Sequence, residues 1–175
     1  LALLGRPDEA RPVPVDVGGV VESVIRMVRN ELRHRATIVV DVAPGTCVRA
    51  TEPRLAQVLT NLVVNALRAM PDGSPSAGRI EIATEPAGPG HVALVVRDNG
   101  SGIPPEIRER IFEPLFTTRR GGVGSGLGLA ISNAIVRGFG GDIAVESTVG
   151  VGSTFRITLP VASPDEARTD RASIV

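Results

Sequence analysis

Asn61 and Asn65 stand four residues apart, so a helix through them carries both amides on one face. Asparagine costs a helix interior roughly 0.5 kcal/mol against alanine, and two in one stretch invite a chemical reading. An amide oxygen is a hard, neutral ligand of the kind that Mg2+ accepts alongside several waters; an ordinary solvated stripe is the competing explanation. Asp98 ends the apolar run 92–96 and opens Asp-Asn-Gly-Ser-Gly-Ile. A buried carboxylate there would accept a hydrogen bond from an adenine amino group. Gly100 and Gly102 would let the backbone pass close to a flat ring, with Ile103 as its apolar contact. A plain turn is the alternative, because Asp-Asn-Gly is a strong turn signal by itself. Residues 121–129, GGVGSGLGL, are glycine-rich and run into an apolar helix near Leu127. Backbone amides at that density, with a helix N-terminus behind them, suit phosphate oxygens; the alternative is a flexible linker. Two standard phosphate patterns fail. A dinucleotide fingerprint from Gly122 or Gly124 needs glycine at 127 or 129, and both are leucine. A phosphate loop needs a lysine, and the chain has none. Last, Gly150 and Gly152 lead to Ser153 and Thr154, hydroxyls able to complete an adenine site directly or through water.

The elements that must position these residues follow from periodicity. Asp16 reads as an N-cap, and Val17, Val20, Val21, Val24, Ile25, Val28 and Leu32 recur at helical spacing, predicting a helix over 17–34. Residues 37–42 read as a strand, Pro44-Gly45 as a turn and 47–50 as a short strand. Thr51 caps a second helix reaching about residue 70, with Pro53 in its first turn. Its apolar face holds Leu55, Val58, Leu59, Leu62, Val63, Ala66 and Leu67; Asn61, Asn65 and Arg68 lie opposite. Residues 79–85 and 92–98 form a hairpin. A short helix over 106–111, a long one over 127–139 and a closing strand pair over 142–147 and 153–159 complete the chain. Helices interleave with strands, yet three strand connections look like hairpins. That predicts a two-layer α/β sandwich: a mixed, mostly antiparallel sheet of about five strands packed on three helices. The proline-rich residues 1–15 read as a linker, 16–160 as the domain and 161–175 as a flexible tail.

Composition excludes more than it assigns. Nineteen basic residues, all arginine, balance nineteen acidic ones, which gives no electrostatic reason for a nucleic-acid or anionic-membrane partner. Cys47 is the single cysteine, so no intrachain disulfide and no all-cysteine zinc site can form. No apolar run approaches the ~20 residues that span a bilayer. The chain opens Leu-Ala-Leu-Leu without an initiator methionine. The expectation is a cytoplasmic piece of a longer protein that is free to be membrane-anchored.

The order Asn-x-x-x-Asn, Asp-x-Gly-x-Gly, Gly-x-Gly-x-Gly, Gly-x-Gly-Ser closely resembles the ATP-binding catalytic domain of sensor histidine kinases, whose superfamily also holds gyrase-type ATPases, mismatch-repair ATPases and a heat-shock chaperone. Residues 57–72 (QVLTNLVVNALRAMPD) and 98–132 (DNGSGIPPEIRERIFEPLFTTRRGGVGSGLGLAIS) look like the kinase branch, and 112–118 match its phenylalanine box. The resemblance covers about residues 16–160 and implies a Bergerat-type fold, ATP and Mg2+. It implies that Asn65 ligates the metal with Asn61 beside it near the phosphates. Asp98 would read adenine, supported by Ser153, in a pocket shaped by Gly100, Gly102 and Ile103. Gly124, Ser125, Gly126, Leu127, Gly128 and Leu129 would frame the phosphates, and Arg68, Ala69, Phe116 and Thr118 would line the remainder. Arg119 stands where many such kinases carry lysine; it keeps a cation near the γ-phosphate with a different donor geometry.

In the hydrolysing branches a glutamate sits four residues before the metal asparagine, as base for water. Asn61 occupies that place here, and an amide does not take a proton near neutral pH. The resemblance therefore implies γ-phosphate transfer to a histidine on a separate dimerisation domain, with a response-regulator receiver domain downstream. It further implies a monomeric isolated domain within a homodimeric parent, and no nucleic-acid partner. The only histidines, His34 and His91, lack the acceptor's following acidic residue and proline, and are expected to be surface residues. Residues 171–175 resemble the start of a receiver domain. The competing functions are a nucleotide-driven conformational switch and a binding module that transfers nothing.

Overall fold

The computed structural model describes residues 11–70, 77–116 and 126–163. Asp16 begins the first helix as its spacing predicts: its Oδ2 accepts the Gly19 N–H at 2.8 Å, and α1 (Val17–Leu32) buries Val17, Val20, Val21, Val24, Val28 and Leu32. The second helix, α2 (Glu52–Ala69), has Thr51 at the N-cap position, but the threonine hydroxyl makes no capping bond. Its carbonyl instead takes the Leu55 N–H at 2.9 Å. The third long helix, α4 (Gly128–Gly138), follows the short α3 (Pro105–Arg108).

Five strands make one sheet in the order β2 (Thr37–Asp41), β4 (Arg79–Pro86), β5 (His91–Asp98), β7 (Gly152–Pro160), β6 (Asp142–Thr148). β2 runs parallel to β4 and every other pair is antiparallel. The mixed five-stranded sheet with its helical layer is the expected α/β sandwich. Strand alternation turns Ile80, Ile82, Leu94, Ile157 and Leu159 towards α2, whose Leu55, Leu59, Leu62 and Leu67 meet them with essentially no exposure. The opposite face is a charge lattice. Arg97 bridges Glu81 (2.9 Å) and Glu85, and Arg156 reaches Glu85 at 2.6 Å. Arg97, then Arg156, hold the Glu85 carboxyl below the usual carboxylate range.

Two expectations are corrected. Residues 37–42 and 47–50 do not form a hairpin. The turn at Gly45 exists (φ 72°), but β3 (Cys47–Ala50) pairs antiparallel with β1 (Val13–Asp16) in a separate two-stranded sheet. Ala43 N–H donates to Thr84 Oγ1 at 2.8 Å, which draws the chain leaving β2 towards β4. A parallel neighbour needs a crossover, and α2 supplies one between β2 and β4. The second correction concerns residues 13–15, read as the end of a linker; Asp16 is the expected N-cap. Residues 13–15 lie in β1, with Val15 buried against the core; Pro14 is tolerated because the ribbon has a free edge. At the other end the packed chain runs past residue 160: Val161 bridges Val48, and Ala162 N–H donates to Cys47 O at 2.9 Å.

Candidate functional site

At the helix-facing end of the sheet, register sets Asp98 opposite Ser153. Asp98 Oδ1 accepts the Gly100 N–H at 2.9 Å, and the nearby Ser153 backbone N–H also favours the ionised carboxylate. Burial pushes the Asp98 carboxyl above its ordinary value; these two backbone donors oppose the shift without cancelling it. A desolvated carboxylate with spare lone pairs is built to accept a further hydrogen bond from a neutral donor. The Ser153 side chain, 5% exposed, faces Ser147 Oγ at 3.0 Å. Ser147 also receives the Ile103 N–H (2.8 Å) and contacts Gly152 O (2.9 Å). One hydroxyl thus ties the Ile103 loop to the β6–β7 hairpin, a role no sequence signal marks.

The glycines here are required by backbone proximity. A Cβ on Gly100 would lie 2.7 Å from Ala69 O, and one on Gly102 (φ +70°) 2.2 Å from Thr148 O. Gly102→Ala is expected to cost about 2–4 kcal/mol, the sum of left-handed strain and a displaced backbone. That is a fall of roughly 5–15 °C in Tm. Gly45→Ala has a similar φ (+72°) but open space, and should cost only about 1–2 kcal/mol. Thermal unfolding of the two variants side by side checks the difference.

α2 joins this loop to the other motifs. At its C-terminal end Ala69 O accepts the Ser101 N–H at 2.9 Å. Ala69 therefore braces the Asp98 loop with its carbonyl. One side of its middle turn meets α4: Asn61 Nδ2 lies 3.0 Å from Gly128 O and 3.2 Å from Ser132 Oγ. Ser132, fully buried, also donates to Gly128 O at 2.9 Å. Asn65, one turn on, is half-buried, and its amide makes no hydrogen bond among the described residues. Arg68 is exposed on the next turn, and Leu127 and Leu129 flank Gly128 half-buried. Among the described residues no group of three His, Cys, Asp or Glu is disposed to hold a metal. An amide oxygen plus ligand phosphates is then the donor set on offer, which fits Mg2+ and its few protein ligands.

The phenylalanine box closes onto the start of α4. Leu115 N–H donates to Gly126 O at 3.1 Å, and a Cβ on Gly126 (φ +64°) would sit 2.7 Å from the Leu115 carbonyl carbon. The Arg110 guanidinium lies over the Phe116 ring, 4.5 Å from its centroid, a cation–π contact. Gly128 differs: a Cβ there meets only the Asn61 amide, no closer than 3.6 Å. Thr118, Arg119, Gly124 and Ser125 lie outside the described residues. Ser132, Ser147 and Arg110 are the site residues that sequence reading did not single out. Only Ser132 leaves a trace there, as a hydroxyl on the inward face of a glycine-started helix.

Residues 50–163 match the family described as histidine kinase-, DNA gyrase B-, and HSP90-like ATPase. The two-component sensor PprA of Pseudomonas aeruginosa is 37% identical over 172 residues, 95% of this chain and 18% of that protein. The mycobacterial sensor histidine kinase MprB superposes with a TM-score of 0.75 at 31% identity, over 87% of this chain and 99% of that one. Full-length ShkA, solved in complex with AMPPNP, gives 0.76 at 29% identity over 91% of this chain and 33% of that one. The chain therefore spans less than a fifth of PprA. No described helix is long and apolar enough to cross a membrane. A family match over most of the chain, a sandwich with the same shape as kinase catalytic domains, and a carboxylate, an amide pair and a glycine-started helix gathered on one side of α2 lead to one assignment: the chain belongs to the histidine kinase-, DNA gyrase B- and HSP90-like ATPase family, as a catalytic domain of the sensor histidine kinase type.

Proposed function

We propose that this domain binds Mg-ATP and donates the γ-phosphate to a histidine on a separate dimerisation domain of its own longer protein. A single observation carries the reading: α2 is a spine that touches the Asp98 loop at Ala69 and the start of α4 at Asn61, with the Asn65 amide, which has no hydrogen bond among the described residues, between them. Purine recognition, metal ligation and phosphate binding thus share one rigid element, as positioning catalysis requires.

In this reading Asp98 accepts from the adenine amino group, supported by the Ser153 N–H, and Ile103 lies against the ring. Gly126, Gly128 and the N-terminal turn of α4 face the phosphates, flanked by Leu127 and Leu129; Gly124 and Ser125 extend that surface. Arg68, Phe116, Thr118 and Arg119 complete it, Arg119 as the cation towards the γ-phosphate. Asn65 would hold Mg2+, which would supply neutralisation of phosphate charge; in the transfer the bond from the γ-phosphorus to the leaving oxygen breaks and the imidazole N–P bond forms. ADP leaves. The ShkA structure with AMPPNP, an ATP analogue, supports a nucleotide in a pocket of this fold.

The same reading makes the residues ahead of β1 the connection to the dimerisation domain. It makes a response-regulator receiver domain the next acceptor, the parent a homodimer and the setting cytoplasmic. Residues 164–175, outside the described range, would lead onward to a receiver domain.

Two expected results test it. Phosphate from ATP should label a supplied dimerisation domain in trans, while the chain alone acquires no stable phosphohistidine. His34 is exposed in the turn after α1, and His91 turns Nδ1 to Pro89 O at 2.9 Å. Hydrolysis without acceptor should stay below about 1 s⁻¹, the low end of ordinary turnover, because Asn61 offers water no base. Faster hydrolysis without transfer would favour a nucleotide-driven switch; binding without either would favour a non-transferring module.

A further inference from the structure

Asn61 belongs to the phosphate side of the site, yet its nitrogen is committed elsewhere. Gly128 O can only accept, so the group 3.0 Å from it is the amide nitrogen of Asn61. Ser132 Oγ has one proton, and the i−4 carbonyl of Gly128, 2.9 Å away, takes it. Towards Asn61 Nδ2, at 3.2 Å, the same oxygen is therefore an acceptor. Gly128 O and Ser132 Oγ, 2.9 Å from one another, thus both face the nitrogen of the Asn61 amide. An asparagine amide ordinarily has two orientations separable only by its partners; here the partners leave one. Back-bonding of serine to the i−4 carbonyl is common in helices by itself. The bond across to a second helix, from a serine with 0% exposure, is not part of that habit.

We propose that Ser132 is a positioning residue for phosphoryl transfer. By closing the Asn61–Ser132–Gly128 triangle it steadies the Asn61 amide, whose orientation Gly128 O sets, and holds the first turn of α4 at a set distance from α2. It touches neither adenine nor Asp98, so its effect is confined to the phosphate end. The proposal rests on the Mg-ATP transfer reading above.

The test is a double-mutant cycle on the whole chain with a supplied dimerisation domain, using Ser132→Ala, Asn61→Ala and the pair. ADP and Mg-ATP affinities are measured by calorimetry and transfer kcat and KM with labelled ATP. For Ser132→Ala we expect kcat to fall about 5- to 30-fold, the effect of loosening one positioned group, with ADP affinity within about 3-fold. The pair should lose no more than Asn61→Ala alone, the non-additivity of a shared interaction. In ¹⁵N spectra the Asn61 side-chain NH2 pair should be slow to exchange in wild type and fast in Ser132→Ala; this readout does not depend on turnover. Ser132→Thr keeps the hydroxyl and should recover most of kcat; it also serves if the alanine variant folds poorly. Additive losses, a parallel fall in ADP affinity, or an Asn61 amide indifferent to Ser132 would each reduce Ser132 to packing and overturn the proposal. A wild type that transfers normally beside an unaffected Ser132→Ala rejects the proposal alone. A wild type without transfer rejects it together with the functional reading.

Discussion

Asp98→Asn is expected to weaken Mg-ATP binding about 30- to 140-fold, the 2–3 kcal/mol of a lost charge-assisted hydrogen bond with a donor facing a donor. A carboxylate has about four acceptor sites; the Gly100 N–H occupies one on Oδ1, which leaves capacity for an adenine amino group. An asparagine that keeps its oxygen on the Gly100 N–H turns its NH2 to the adenine NH2, donor against donor. Calorimetry with ATP and with GTP separates this from a general loss of the pocket: selectivity for adenine should collapse along with affinity.

The same carboxylate sets a pH dependence. Burial raises its pKa, and binding needs the ionised form. Affinity should therefore fall as pH drops through that raised value, at a higher pH than the ordinary carboxylate range near 4 would give. For folding without nucleotide the sign is opposite. A carboxyl whose folded pKa lies above its unfolded one contributes stability that is complete below the unfolded value and is lost as pH rises through the folded one. Wild type titrated downwards from neutral pH should show the affinity loss ahead of the ordinary carboxylate range, and Asp98→Asn should not. An equal slope in both would place the titrating group elsewhere.

The second large effect is at Asn65. Asn65→Ala is expected to lower transfer kcat by about 10²- to 10³-fold, the range for deleting one group that stabilises developing charge. Metal-free ADP affinity should stay within about 3-fold, because α2 packs through its opposite, leucine-lined face. Asn65→Asp keeps an oxygen ligand and adds charge, so it should shift the Mg2+ dependence to lower concentration instead of abolishing transfer. Titrating Mg2+ at saturating ATP against the three proteins checks both statements. Loss of ADP binding in Asn65→Ala would mean that the residue supports the fold and not the metal.

How much of this was legible beforehand follows the range over which each feature is encoded. α1 and α2 were written in the valine and leucine spacing, β4–β5 and β6–β7 in strands joined by short glycine turns, and the candidate groups in the order of four motifs. Each of these is local: a helix or hairpin is specified by residues within a few positions of one another. Partner choice is not. The segment 47–50 could pair with 37–42 across a ready-made turn, and instead paired with 13–16. Nothing near either strand in sequence records the competition that α2, crossing from β2 to β4, decides. The glycines make the same point at atomic scale. Gly126 and Gly128 are alike as letters, but one abuts the Leu115 backbone and the other has room for a methyl group. Ser132 and Ser147 are ordinary residues until folding brings an amide from α2 and a backbone N–H at Ile103 within hydrogen-bond reach. The sequence by itself determined the elements, the family and the chemical types at the site. Only the tertiary structure decided which atom of each side chain faces the ligand, because a hydrogen bond depends on a partner far away along the chain.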